Sequence, residues 1–165
     1  MSPFPDTLFI FGSKMHATDL RSMHPPPAGI EFLCATYFQN ADPLLKILHR
    51  PTTQVEIAAA ADNLIAGPPK PALEALMFSM YFVAVTSLSQ EQCLASLGQD
   101  KDKLLAQFKY GSETALANAQ FLTSTDMLCL QAFVIYVVSK PPIEFYRFDS
   151  TLRKYYIWLR LAHNS

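Results

Sequence analysis

The sequence predicts an all-α fold, a compact bundle of about six to seven helices. Three observations carry that expectation. Apolar residues recur at helical spacing, as at Ile30, Leu33, Cys34, Tyr37 and Phe38. Proline, glycine and capping residues punctuate the chain at the ends of such runs. Strand-like alternation is missing. "FVIYVV" is ambiguous because its β-branched residues cluster, but it continues the apolar pattern of "DMLCLQAF" and reads as helix.

The chain opens with an irregular lead-in over 1–27, containing Pro3, Pro5 and a stiff "HPPP" run at 24–27. The helix marked by Ile30 and Phe38 follows, broken by Asn40 and Asp42-Pro43. "DPLLKILHRPT" then reads as a short helix at a corner. Asp42 supplies a cap and Pro43 suits the first helical position. Leu44, Leu45, Ile47 and Leu48 offer an apolar face. Pro51 disfavours helical geometry at Arg50, so this helix is expected to stop there, with Lys46 and Arg50 facing water. Thr53 and Glu56 have capping-box spacing for the alanine-rich helix after it, which Gly67 and Pro68-Pro69 end.

From Pro71 to about Leu88 the apolar residues go nearly all round, which marks the central, most buried helix. Ser89 with Gln92 is a second capping box, and Gly98 ends the short helix that it opens. Leu104, Leu105, Phe108, Ala115, Leu116, Ala119 and Leu122 mark a further amphipathic stretch, which Gly111 is expected to bend. "STD" at 124–126 caps the last helix, through Val138. Residues 28–138 therefore form one helical domain. Residues 139–165 form a basic, aromatic tail: Lys140, Arg147, Arg153, Lys154 and Arg160 stand against Glu144 and Asp149, among six aromatic side chains. The tail reads as a further amphipathic helix with snorkelling basic groups, or as a strip for nucleic acid or an acidic partner.

Composition narrows the function. Half of the 165 residues are hydrophobic, 16% are charged and the net charge is −1, which argues against nucleic-acid binding by the whole chain. Cys34, Cys93 and Cys129 are far apart and form neither a disulfide framework nor a zinc module; each reads as a buried small hydrophobe in a reducing compartment. "MSPFPDTLFIFGSK" lacks the basic leader of a signal peptide. The runs 75–88 and 127–138 fall short of the ~18 apolar residues of a spanning helix, so no membrane span is expected.

Catalytic signals are weak. His16 and His24 lie in the lead-in and His163 lies near the end. His49 is the one histidine in a well-patterned region. Either it is a general base oriented by Asp42 or Asp62, or it caps the short helix near the negative end of its dipole or bonds a backbone carbonyl. The capping reading is preferred. Asp100 and Asp102, beside Lys101 and Lys103, read as a solvated helix start rather than a metal site, and Met77, Met80 and Met127 as packing. No nucleophile elbow, zinc-protease motif, phosphate loop or calcium loop occurs.

"NADPLLKILHRPTT" resembles the entry motif of the regulatory, or middle homology, domain of fungal zinc-cluster transcription factors. "LFIFGSKMHATDLRSMHPPPAGIEFLCATYFQNADP" resembles the lead-in of that domain. "PALEALMFSMYFVAVTSLSQEQCLASLG" resembles its central helix and the turn that follows. "LLAQFKYGSETALANAQFLTSTDMLCLQAFVIYVV" resembles the next two helices. Together these stretches cover about residues 8 to 138, in the family's order. The resemblance implies an all-helical regulatory domain, a nuclear location and a role in transcriptional control. It implies protein partners, from the transcription machinery or a family homologue, and a small-molecule effector in a helical pocket. It supplies no catalytic, cofactor-binding or metal-binding residue. Zinc and DNA recognition belong to a separate six-cysteine module, which three scattered cysteines cannot build. "LRLAHNS" resembles the start of a later family run, whereas Ser139 to Tyr156 do not look like the family; a chain truncated on that side is expected. The motif residues Asp42, Pro43, Leu44, Leu45, His49 and Pro51 are expected to build a structural corner, with the leucines in the core.

The alternative function is a stand-alone helical small-molecule-binding protein or enzyme, with His49 as its polar centre. A membrane-associated protein is a third reading. The central-helix assignment predicts that Phe78→Ala or Phe82→Ala costs roughly 3–5 kcal/mol, as at other buried aromatics. Chemical denaturation measures this, and a loss below about 1 kcal/mol at both positions would remove that helix from the centre.

Overall fold

The computed structural model describes residues 17–139. Among the described residues a 3-10 turn, Arg21–Met23, precedes seven α-helices: α1 Pro27–Asn40, α2 Asp42–Leu45, α3 Arg50–Asn63, α4 Pro71–Ser87, α5 Gln90–Leu97, α6 Lys101–Asn118 and α7 Met127–Val138. No strand occurs among the described residues. The fold is all-α, as expected. The tail from Lys140, with the alternatives read for it, lies outside the described residues, as do His16 and His163.

The centre is α4. Thirteen of its seventeen residues are buried, among them Leu76, Met77, Phe78, Met80 and Tyr81. A helix that is apolar all round must be covered all round, and α1, α6 and α7 pack on α4. Its C-terminal carbonyls meet a cation: Lys101 Nζ donates to Leu88 O at 2.6 Å and to Thr86 O at 3.3 Å. Ser89 accepts from the Gln92 amide at 3.1 Å while Gln92 Oε1 accepts from the Ser89 amide at 2.9 Å, which is the expected capping box. Gly98 closes α5 at φ +69°, a left-handed conformation that glycine adopts without a Cβ penalty. Asp100 caps α6 and Asp126 caps α7. Cys34, Cys93 and Cys129 are free and buried.

Several expectations need correction. Gly111 sits inside the continuous helix α6, and its importance is space. A Cβ at this position would lie 2.5 Å from Phe78 Cδ1, so the missing side chain lets α6 close on α4. Met127 is 64% exposed and is not a packing residue among the described elements. The lead-in is not irregular throughout. Leu20 is 1% exposed and anchors the 3-10 turn in the core. Asn118 Nδ2 donates to Thr18 O at 2.9 Å while its Oδ1 accepts from the Thr18 amide at 3.1 Å. Gln107 Nε2 donates to Met23 O at 2.8 Å. The segment before α1 is thus strapped along α6.

The Gly111 contact gives a stability test with opposing terms. Alanine in a helix gains about 1 kcal/mol over glycine, whereas forcing a methyl group into a packed core costs roughly 1–3 kcal/mol. Phe78 cannot swing away easily, since His24, Tyr81 and Phe108 surround its ring. Gly111→Ala is therefore predicted to destabilise the native chain, and to do so less in a Phe78→Leu background. Paired denaturation curves of the four proteins measure that coupling.

Candidate functional site

The corner at Asp42 is built differently from the sequence expectation. Ala41 occupies the N-cap of α2, and Asp42 is its first residue with no capping hydrogen bond from its side chain. The helix ends at Leu45 rather than Arg50, because Lys46 turns left-handed at φ 45°. Lys46 Nζ reaches back to Asp42 Oδ2 at 3.4 Å. The carbonyl of Ile47 is taken by Gln131 Nε2 of α7 at 3.0 Å, which ties the link to the bundle. Pro51 starts a helix instead of ending one. It stands in the first turn of α3, where its missing N–H loses no hydrogen bond. Thr53 is consequently buried inside α3 and forms no capping box with Glu56. The leucines divide: Leu48 is buried and Leu45 packs against the core, but Leu44 is 84% exposed. Arg50 faces water yet lays its guanidinium over Phe38, 5.5 Å from the ring centroid.

His49 falls at the N-cap of α3, not at the negative end of α2. Its exposed ring pairs through Nδ1 with Thr52 Oγ1 at 2.8 Å, and Asp42 and Asp62 do not join it. The corner does hold two orphaned polar atoms, Tyr37 Oη and Asp42 Oδ1, both buried without a hydrogen-bond partner among the described residues. Burial, and then the nearby Asp42 carboxylate, push the Tyr37 phenol well above its usual range.

A groove of about 340 Å³ runs between α1 and α3, within the ~300–1,000 Å³ range of small-molecule sites. Ile30, Cys34, Ile57 and Ala61 form its buried wall, and the exposed carboxylates of Glu31 and Asp62 stand at its rim. Burial holds the Cys34 thiol up at about 11, against a small opposing pull from Arg50, so the wall is a neutral S–H at physiological pH.

A second constellation was not foreseen. His24, read as part of the lead-in, has a side chain 1% exposed and enters the core between α4 residues. Its Nε2 lies 2.9 Å from Glu74 Oε1 and its Nδ1 lies 3.1 Å from Tyr81 Oη. One tautomer satisfies all three groups: Nε2–H donates to the carboxylate, and the Tyr81 hydroxyl donates to Nδ1. The ring also lies tilted at 44° against Phe78 with centroids 4.5 Å apart, and Phe108 closes the cluster against Tyr81 at 5.3 Å. Burial drives the Tyr81 phenol far above its ordinary range, so it stays a neutral donor. Glu74 on α4 and His24 are 50 residues apart. Only the odd placement of one carboxylate in a helix otherwise apolar all round signals the pair in the sequence. The arrangement fixes the strap to α4; being sealed from solvent, it offers a substrate no path to the imidazole.

The chain resembles known proteins over most of its length. It is 39% identical over 133 residues, 81% of the chain, to the transcriptional regulator AacuB of Aspergillus aculeatus. It is 36% identical over 131 residues, 78% of the chain, to the C6 finger domain transcription factor adaR of Aspergillus niger. Homologues of this chain over about four-fifths of its length are fungal C6 zinc-cluster transcription factors. A further relative, the aurofusarin cluster transcription factor of Gibberella zeae, is 35% identical over 138 residues, 84% of the chain. The matches span 18%, 17% and 20% of these three relatives, so the chain spans about a fifth of the length of the zinc-cluster proteins it matches. No protein-family model matches the chain, and no solved structure matches it.

Removing His24 would leave a buried carboxylate without its donor, which typically costs about 3–5 kcal/mol. Tyr81→Phe removes one hydrogen bond and should cost about 1–3 kcal/mol. His24→Ala is thus predicted to be the more damaging, and to expose residues 17–25 to limited proteolysis ahead of α4. Equal losses for the two variants, with no early cleavage, would contradict the strap.

Proposed function

We propose that this chain is the helical regulatory and interaction domain of a fungal zinc-cluster transcription factor, working in the nucleus through protein contacts and not itself reading DNA. The observation that carries this reading is homology to transcription regulators over about four-fifths of the chain. The helical bundle agrees with it, and so do the charge balance and the three buried thiols, which do not build a zinc cluster. The corner residues Asp42, Pro43, Leu45 and Pro51 act as architecture: they turn the chain from α1 into α3.

The groove supports a second element of this reading, a small apolar effector. It would lie on Ile30, Cys34, Ile57 and Ala61, with any positive or hydrogen-bonding end at Glu31 or Asp62. A bound effector would fix the spacing of α1 and α3, and α3 contributes only Thr53, Ile57 and Ala61 to the buried residues. Such a helix can shift at modest cost. The relative from Gibberella zeae is named for the aurofusarin cluster, and control of a gene cluster is the matching role for this chain.

Tethering tests the reading. Fused to an unrelated DNA-binding domain, the chain should change a reporter's output several-fold, and alone it should shift no DNA in a gel. Ala58→Trp, which fills the groove from the exposed side of α3, should alter the response of the tethered chain while leaving its helical content unchanged. A tethered chain without effect on the reporter would overturn the proposal, as would specific DNA binding by the unfused chain.

A further inference from the structure

The walls of the α1–α3 groove carry charge of one sign. Glu31 is the one charged residue of α1, and beyond Arg50 the charged residues of α3 are Glu56 and Asp62. No lysine, arginine or histidine occurs from Pro51 to Pro69. Glu31 and Asp62 line the cavity and are exposed, and neither forms an ion pair among the described residues. The cations nearest in sequence are committed elsewhere. Arg50 lies over the Phe38 ring, Lys46 reaches back to Asp42, and Arg21 is paired with Asp19.

Between the two carboxylates the floor is apolar. Ile30 and Ile57 are 1% and 3% exposed, and Cys34 is 7% exposed. Gln54 is the neutral polar side chain of the lining. The lining runs from Pro27 to Ala35 on α1 and from Gln54 to Asp62 on α3, about 12 Å of each helix. Exposed carboxylates are ordinary by themselves. Here they flank a concave apolar floor with no cation in its lining, which is how a binding site fixes the charge of its ligand.

We infer that the effector of this groove is a small organic cation, an apolar body lying on Ile30, Cys34 and Ile57 with an amine held at the rim by Glu31 or Asp62. The inference rests on the effector reading of the groove and narrows it to one chemical class. A carboxylate or phosphate of the same shape would meet two like charges, with the Gln54 amide as its donor in the lining. A bare metal ion does not fit, because among the described residues no group of three or more His, Cys, Asp or Glu side chains could hold one. The apolar body is needed to cover the floor.

Three probes of one shape test this on the full chain: the terminally substituted phenylbutylamine, phenylbutanol and phenylbutyrate. Titrations read through the backbone amides of Ile30, Ile57 and Ala61 should give the order amine, alcohol, acid, with the amine about fivefold tighter than the alcohol, a gap of the size that exposed charge pairs allow. Raising the salt to roughly 0.5 M should close most of that gap, because exposed charges are screened. Glu31→Gln with Asp62→Asn should bring the amine to the affinity of the alcohol, and Glu31→Lys with Asp62→Asn should move the acid ahead of the amine. Circular dichroism confirms that these exposed substitutions keep the helices. An alcohol that binds as tightly as the amine, or an acid that binds most tightly, would overturn the cation and leave the effector groove standing. Amine binding that Ala58→Trp does not weaken would put the amine elsewhere on the acidic surface and overturn the site. If none of the three probes shifts those amides at millimolar concentration, the effector reading of the groove falls, and the cation with it.

Discussion

Glu74 is a carboxylate on the most buried helix of the bundle, with a side chain 6% exposed, and the rest of the structure has to accommodate it. Left alone it would cost several kcal/mol in desolvation. Its neighbours on α4 are apolar and offer no partner, so the partner comes from outside the helix. His24 supplies it, 50 residues away in sequence. That pairing draws in the segment before α1, which Leu20, Gln107 and Asn118 then hold along α6. Tyr81 and Phe78 form the walls of the histidine's site, and Gly111 leaves the room that Phe78 needs. One buried charge thereby links the strap, α4 and α6 into a single unit.

The α1–α3 side of the molecule is looser. Three buried residues hold α3, and the corner leading into it has polar atoms of Tyr37 and Asp42 buried without partners. Lys46 adopts a left-handed backbone that a β-carbon disfavours by roughly 1–2 kcal/mol. The stability of the bundle is therefore concentrated around α4, and its adaptability lies between α1 and α3, where the groove opens. A regulatory domain needs that division: a fixed frame, and one element whose position a ligand or partner can bias.

Much of this was legible in the sequence because the determinants are local. The capping box at Ser89 and Gln92, the glycine stop at Gly98, and the caps at Asp100 and Asp126 act within one helical turn, and each occurs where its residues place it. The all-round apolar character of α4 likewise announces a central helix. Local rules misled at the corner. Asp42-Pro43 and Arg50-Pro51 both carry the signature of a helix start, and only the second opens a long helix, because Lys46 breaks the first after a single turn. Leu44 shows the same limit: apolar identity is not burial, and a four-residue helix has too few positions for periodicity to assign a face. His24 lay beyond reach for a different reason. Nothing near it in sequence names its partner; the contact exists because α1 and α4 are packed together. Met127, Leu130 and Val138 of α7 were visible as apolar residues, but their exposure depends on which face α4 occupies.

The claim that the segment before α1 belongs to the core can be measured by native-state amide hydrogen exchange on the full chain, reading the amides of Met23 and His24, which bond to Leu20 and Arg21 carbonyls, alongside those of α4. If the His24–Glu74 pair anchors the strap, these amides exchange slowly, and Glu74→Gln speeds them more than it speeds the amides of α5. If they exchange at the rate of an unstructured peptide while α4 stays protected, the strap is not part of the folded unit and the account built on Glu74 is wrong.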